Sequence, residues 1–512
     1  MKARVAASGF LLVWLGTAAC GSGGNDGSST STGSSGGAGS VAAGVGATAG
    51  GASSAAVSAG GTGAGTGGVT AGAGGSESGG SAGNGASGAS AGGAGGTAGG
   101  GFGGGMGTAL FTVDYQLASD VDADAPGTVG IVTWSVDVAA LTAAYIEFGL
   151  DTTYGMTAPV DLAETDYRTL LLGMKPSSSY HFRIVAGDGA STYTSDDYVI
   201  ETDPPTNLVS VERFTVMDED ARQRGFIVAS YWQGQGSAVP FILDADGDIV
   251  WWYAGGPNGI ARARMSEDGK NMWMVVASNN GGALRRVSMD GLDAQTYNGV
   301  TASHDITPVG GDRMAFLEYG ESDCDSVYEI DPSGEAVEVF ESQGVVESGG
   351  GLLGCHGNAL RYSQAEDVYT FSDLNQDVLV VNRSGEVEWR LSERVNGGND
   401  AWAGAQHGHQ LLDGSILIFA NAGGSNNSSA AVEYTLEGEE IMRYVGGNFT
   451  QNLGDVQRLP NGNTLVNYGN DSVIREIDAD ENVVLEIEGN GSSFGYTLWR
   501  ETLYGPPPNI QD

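Results

Sequence analysis

Past residue 108 the chain consists of short apolar runs broken by turn residues. Ile131-Val132-Thr133-Trp134 and Ala144-Tyr145-Ile146-Glu147-Phe148 read as strands. Tyr180-His181-Phe182-Arg183-Ile184-Val185 alternates with the two-residue period of a half-buried strand. Strands of this length between regular turn signals predict a small β-sandwich over residues 108–203. Thr202-Asp203-Pro204-Pro205 closes it as a linker, and His181 reads as a structural residue of its strand.

Residues 204–512 repeat. Each unit holds an apolar strand, an Asp-Gly or Asn-Gly turn, a second strand, a loop, a third strand, another turn and a closing strand. The first turns include Asp268-Gly269, Asp413-Gly414 and Asn461-Gly462. The second turns are Asp246-Gly247, Ser333-Gly334, Ser384-Gly385 and Glu437-Gly438. Such dipeptides between alternating apolar residues are strong hairpin signals. Units begin near Gly225, Ile260, Ser303, Cys355, Gln406 and Asp455. Four antiparallel strands per unit at this period predict a β-propeller of six blades. The expected fold is therefore all-β: a six-bladed propeller preceded by a small β-sandwich. Tyr496-Thr497-Leu498-Trp499-Arg500 is a strand without a unit of its own, expected to complete an early blade and close the ring. Asp244-Ala245-Asp246-Gly247-Asp248 has the look of a calcium loop, but it lacks the spaced Glu and occupies a hairpin position, so it reads as a plain turn.

Composition changes the picture at the N-terminus. Of 86 glycines, 37 lie between Gly21 and Gly107, a stretch with one aromatic, Phe102, and two acids. It cannot bury enough apolar surface to offset chain entropy, so residues 21–107 are expected to be a disordered Gly/Ser/Ala-rich tether. Before it, Lys2 and Arg4 precede an apolar run from Val5 to Ala19, too short for a stable membrane span. Residues 1–20 read as an export signal. Its end, Thr17-Ala18-Ala19-Cys20 followed by Gly21, resembles the lipobox of bacterial lipoproteins, with Leu replaced by Thr17. That resemblance implies lipidation at Cys20, attachment to the outer membrane through the lipid alone, and an exported protein. The net charge of -41 falls wholly beyond the tether and argues against nucleic acid and against an anionic membrane surface as partners. Three cysteines exclude a disulfide-rich scaffold; Cys324 and Cys355 are left over to pair or not.

The histidines carry the candidate chemistry. Four of the five stand just inside the first strand of three successive units: His304 in Ser-His-Asp-Ile, His356 in Cys-His-Gly-Asn, and His407 and His409 in Gln-His-Gly-His. First strands line the channel of a propeller, so three blades aim imidazoles at one axis. No His-Glu-x-x-His spacing occurs and only Asp305 stands close by as a carboxylate, so no metal or cofactor is expected. The chain has no Gly-x-Ser-x-Gly elbow for Ser-His-Asp hydrolysis.

Ser303-His304-Asp305-Ile306, His356-Gly357-Asn358-Ala359-Leu360, Gln406-His407 with Ile418-Phe419-Ala420-Asn421, and Gly454-Asp455-Val456-Gln457-Arg458-Leu459-Pro460-Asn461-Gly462 together resemble the bacterial arylsulfotransferase family. The likeness runs from the linker to the C-terminus. It implies a six-bladed propeller behind a small β-domain, and transfer of a sulfuryl group from an aryl sulfate donor to a phenolic acceptor without a nucleotide. It implies a channel histidine that carries the group as a sulfohistidine, helped by two further histidines and an arginine. On matching motifs His407 is the nucleophile, His304 and His356 support it, and His409 is an additional imidazole. The family's arginine is expected near Leu374, and its Asp-Asn-Gly is here Ala420-Asn421-Ala422. Arg262, Arg264 and Arg458, at first-strand positions of other units, are the candidates for the missing cation, with Asn421 assisting. Tyr319, Tyr369 and Phe371 are candidates to stack on an aryl ring. Gly173-Met174-Lys175-Pro176 through Tyr180 similarly resembles the strand entry of fibronectin type III modules. The rival reading is a surface propeller that keeps the fold and binds a ligand or protein without catalysis.

Overall fold

The computed structural model describes residues 105–106, 109–205, 210–233, 239–254, 259–276, 282–319, 324–346, 355–373, 377–395, 405–422 and 428–505. The signal segment with Cys20, nearly all of the tether, and Leu374 lie outside them. The described chain is all-β in its regular structure apart from one α-helical turn at Ala118–Val121 and 3-10 turns at Thr165–Tyr167 and Gly469–Asp471.

The N-terminal part forms two sheets. Phe111–Leu117, Gly130–Val136 and Thr169–Leu171 make one; Ala143–Gly149, Met156–Pro159, Ser179–Gly187, Ser191–Thr194 and Tyr198–Glu201 make the other. Their alternating apolar faces meet around Trp134, Ile146, Phe148, Phe182 and Ile184. One expectation is corrected here. Gly105–Met106, read as tether, pairs in parallel with Ser191–Thr192, so ordered backbone begins before residue 108. A sheet edge offers main-chain donors and acceptors that any sequence can satisfy, glycine included.

The larger part is a succession of antiparallel sheets. Phe226–Gln233, Pro240–Leu243 and Ile249–Trp252 form the first; Gly357–Ser363 through Val387–Arg390, and Gln406–Leu412 through Glu440–Tyr444, form two four-stranded sheets. Between these lies a seven-stranded sheet, because Ala294–Gly310 runs unbroken where a unit boundary at Ser303 was expected. Its first half pairs with Gly282–Ser288 and its second half with Arg313–Tyr319. The last sheet, Asp455–Arg458 to Val483–Gly489, receives Val211–Val216 as its outer strand. Leu498–Arg500 pairs with Phe226–Gln233. Chain ends thus complete sheets begun at the other end, as the orphan strand predicts. Apolar clusters fill the gaps between neighbouring sheets. Phe371 packs against Phe340, and Tyr369 is buried with it; both candidate stacking residues belong to this core.

The two parts share an apolar cluster in which Ala118, Val129 and Leu172 meet Val228, Ile242 and Trp251. The Asp244–Asp248 turn sits at this junction. Its three carboxylates surround Lys175 Nζ at 3.0, 2.8 and 2.6 Å, so an ammonium from the N-terminal part sits among the acids that resembled a calcium loop.

Candidate active site

First strands of successive repeat units pack side by side: Ile260–Met265 on Ala294–Gly310, then Gly357–Ser363, Gln406–Leu412 and Asp455–Arg458. The first four of these depart from regular pairing, and Asp455–Arg458 does not. Register shifts fall between Ile260 and Arg262, Ala302 and Ile306, Gly357 and Ala359, and Gln406 and His409. A bulge re-aims the side chains that it carries. His304 and His407 fall within two of these shifts and His356 stands just before a third, and the three imidazoles come together. The rings of His304 and His356 lie 4.6 Å apart and nearly perpendicular, and that of His407 lies 6.5 Å from His304. Tyr319, 41% exposed, faces both His304 and His356 at 6.3 Å. Of the three aromatic candidates it is the one placed beside the imidazoles.

His407 has its proton assigned by its neighbours. Nδ1 lies 2.6 Å from Asn421 Oδ1. The Asn421 amide donates both hydrogens to main-chain carbonyls, Thr450 at 3.0 Å and Leu453 at 2.8 Å. The oxygen of Asn421 therefore faces the ring, Nδ1 must carry the hydrogen, and Nε2 keeps a free lone pair. Between His407 and His409 the strand passes so close to Asp455 that a Cβ on Gly408 would sit 2.0 Å from Asp455 Oδ1. Only glycine permits that approach.

All of these imidazoles are neutral at pH 7. Loss of water pulls His407 down to about 3 against a smaller opposing effect of the Asn421 bond. Desolvation brings His356 to about 4. His304 is held well below its ordinary value by desolvation and then by the neighbouring rings of His356 and His407. The expected acid and base partners are thus neutral N–H donors, not imidazolium ions.

The remaining candidates divide. Arg262 Nε meets Asp305 Oδ1 at 2.7 Å and its NH1 meets Asp455 Oδ2 at 2.8 Å. Arg361 bridges the same two carboxylates. This buried quartet is neutral overall. Burial opposes ionisation of Asp305, but Arg262, Arg361 and Arg264 outweigh it and hold the carboxyl far below its usual range. The Arg262 guanidinium lies 4.4 Å over the Tyr496 ring, whose centroid is 6.5 Å from that of His407. Arg262 therefore stands one aromatic ring away from His407. Arg264 bonds Thr307 Oγ1 at 3.2 Å. Arg458 pairs with Glu433 of the preceding sheet and with the Gly462 carbonyl, a contact between sheets and not part of the imidazole group. His409 also turns away: its Nε2 lies 2.7 Å from Thr370 Oγ1 in the neighbouring sheet. Sequence reasoning missed Ser303, Asp325, Arg361 and Tyr496. Ser303 Oγ sits 2.7 Å from His304 Nδ1, and Tyr496 donates to the Asn358 carbonyl.

Cys324 and Cys355 are disulfide-bonded. The bridge ties together the residues preceding Asp325 and His356. Among the described residues no group of three or more His, Cys, Asp or Glu is arranged to hold a metal ion. A cavity of about 350 Å³ lies elsewhere, between the N-terminal sheets and the first sheet, lined by Phe148, Tyr154, Phe226 and Tyr504 among others.

No curated protein matches the chain. Among solved structures it is similar to TolB from Acinetobacter baumannii, with 10% identity over 64% of this chain and 80% of that one, TM-score 0.41. Virginiamycin B lyase from Staphylococcus aureus has 12% identity over 53% and 87%, TM-score 0.35. A protein of unknown function from Bacteroides thetaiotaomicron has 12% identity over 75% and 91%, TM-score 0.34. Likeness at this level says nothing of chemistry. The family model for arylsulfotransferase (ASST) matches residues 211–498, more than half of the chain and all four first-strand histidines. The chain belongs to the arylsulfotransferase family.

Proposed function

We propose that this protein is an exported, lipid-anchored arylsulfotransferase that moves a sulfuryl group from an aryl sulfate to a phenol through a sulfohistidine at His407. In this reading the sheets over 204–512 form a six-bladed propeller around the imidazoles. Residues 108–203 form a fibronectin type III-like module, and a tether joins them to a lipidated Cys20 at the outer membrane. One observation carries the chemistry: His407 donates Nδ1–H to Asn421, which leaves Nε2 as a nucleophile with the His304 ring beside it and His356 beyond.

The Nε2 lone pair forms an N–S bond while the S–O bond to the phenol breaks, and the electron pair leaves on the phenolic oxygen. That oxygen takes a proton and departs. The acceptor phenol loses its proton, its oxygen attacks sulfur, and His407 is regenerated. Preorganised N–H donors of His304 and His356 meet charge on the leaving oxygen and the sulfuryl oxygens. Tyr319 offers a ring face to the aryl group.

The purified full chain is expected to transfer sulfuryl from an aryl sulfate to a phenol with ping-pong kinetics, unaffected by chelators and without nucleotide. His407→Asn should abolish transfer, and loss of His304 or His356 should cost roughly 10²–10⁴ in rate. Leu374→Arg restores the family's expected cation and should raise the rate. If wild type and Leu374→Arg are both inactive across a panel of aryl sulfates, the transferase reading fails in favour of a binding propeller. Mass spectrometry of the mature N-terminus tests lipidation at Cys20.

A further inference from the structure

Burial leaves a chemical gap in this site. An alkylphenol leaves poorly as a phenolate, yet all three imidazoles are neutral, and a neutral imidazole that gives up its only N–H becomes an anion. Something must refill the proton. The arrangement behind His304 meets that need. His304 Nδ1 lies 2.7 Å from Ser303 Oγ, which lies 3.1 Å from Asp325 Oδ2. Asp325 is 1% exposed, its Oδ2 also accepts the Gly357 amide at 2.8 Å, and its Oδ1 has no hydrogen-bond partner. The other charged group that acts on it is Asp373, of like sign. No cation is among the groups that act on Asp325, unlike Asp305 two residues from Ser303, which has two arginines.

We propose that Asp325 and Ser303 form a proton relay that switches the tautomer of His304 and makes it donor in one half-reaction and acceptor in the other. This rests on the transferase reading above. In the resting site the Asp325 carboxyl donates to Ser303 Oγ, Ser303 donates to His304 Nδ1, and His304 Nε2–H faces the departing oxygen. When that oxygen takes the Nε2 proton, the Ser303 proton passes to Nδ1 and the Asp325 proton passes to Ser303. Three hydrogen bonds reverse, the phenol leaves neutral, and the negative charge rests on Asp325. Nε2 is now bare and accepts the proton of the incoming phenol, which reverses the relay. No imidazolium or imidazolate forms at His304. The direction is sound: desolvation holds the buried Asp325 carboxyl well above its ordinary range, and a carboxyl is by nature a stronger acid than a phenol. The Gly357 amide and the Ser303 hydroxyl solvate the carboxylate while it exists. Ser303 and Asp325 are positioning and relay residues; His304 touches the substrate.

The relay predicts that its residues matter in proportion to how badly the leaving group needs a proton. Ser303→Ala removes one buried oxygen and keeps the backbone; Asp325→Asn keeps shape and removes the acid. Each is measured in the full chain with two donors, a nitrophenyl sulfate whose phenol leaves readily as an anion and an alkylphenyl sulfate that needs protonation. Release of the first phenol in a single turnover is expected to slow roughly 10²-fold with the alkylphenyl donor, and at least tenfold less than that with the nitrophenyl donor. Equal losses with both donors in Ser303→Ala overturn the relay and leave Ser303 a packing residue. Should Asp325→Asn not fold, the Ser303→Ala comparison decides alone. A wild type inactive with both donors fails the transferase reading and the relay with it. An active wild type with equal variant losses fails the relay only.

Discussion

Replacing Asn421 by Leu tests the tautomer argument most directly. The side chain is similar in size, but His407 Nδ1–H loses its acceptor. A buried donor left without a partner costs about 1–3 kcal/mol. The ring can escape that cost by moving its hydrogen to Nε2. The reactive tautomer then becomes the minor one, disfavoured by the same amount, and the rate of sulfuryl capture falls about 5- to 150-fold at one decade per 1.36 kcal/mol. Donor binding does not involve Nδ1, so KM for the aryl sulfate should change little while the single-turnover rate drops. Stability falls independently, because the Leu453 carbonyl loses the Asn421 amide at about 1–3 kcal/mol, while the Thr450 carbonyl loses it too but keeps the Ser429 hydroxyl. Stopped-flow release of nitrophenol gives the rate, and urea unfolding gives the stability. Nitrogen NMR of labelled histidine reports whether the Nδ1–H form is lost. A variant that captures sulfuryl within twofold of wild type, with Nδ1 still protonated, would falsify the assignment of tautomer control to Asn421.

Arg361→Leu leaves Asp305 and Asp455 one guanidinium short at the centre of the sheets, and unfolding free energy should fall by about 3–5 kcal/mol, measured in urea. Reduction of Cys324–Cys355, which closes a span of 31 residues, should lower stability by about 3–4 kcal/mol and reduce transfer, since His356 follows Cys355 directly; melting and activity with and without dithiothreitol check both. His409 is held at about 3 by desolvation and then by Arg361, so the unfolded chain binds a proton there that the native state refuses. Stability is present above the ordinary value of 6.5 and is lost as pH falls from there towards about 3; His409→Gln should flatten the melting temperature over that window. Aryl phosphates, close to dianionic at neutral pH, should neither react nor compete with aryl sulfates in an inhibition assay.

Much of this architecture is legible because hairpin chemistry is local. Asp-Gly and Asn-Gly turns and period-two apolar runs fix where strands begin and end, and the unit starts at Ile260, Gln406 and Asp455 fall on first strands. The convergence of three histidines is legible for a related reason: one repeat position maps to one place in each sheet. What failed depended on exceptions to regular pairing. His407 and His409 share a strand face by alternation, but the register shift between Gln406 and His409 sends one to the site and the other to Thr370. Nothing in Gln-His-Gly-His announces that shift except the glycine. Arg458 was knowable: it stands at odd spacing from Asp455, and side chains one or three apart face opposite ways on a strand. Asp325 and Arg361 were not, because their roles arise from neighbours in other sheets, across separations of 22 and 94 residues.

The electrostatic character of the site follows from these same contacts. Every lysine and arginine beyond Arg4 lies among the described residues, so the guanidinium groups near the imidazoles can be named. Arg262 and Arg361 are bound to Asp305 and Asp455 in a neutral set, and Arg264, bonded to Thr307, adds its charge behind Asp305. The imidazoles beside them are neutral as well. Neutral N–H donors of buried imidazoles are poorly suited to a dianion, whose desolvation they cannot offset, and better suited to a group carrying a single negative charge. A sulfate monoester is such a group, and the sulfuryl on His407 keeps that charge low while the Nδ1 hydrogen stays with Asn421. The same neutrality makes an imidazolium acid costly, and it is why a relay ending on a buried carboxyl fits this site. The charge produced by the departing phenol moves one hydrogen bond at a time from the substrate to Asp325, where a serine and a main-chain amide already await it.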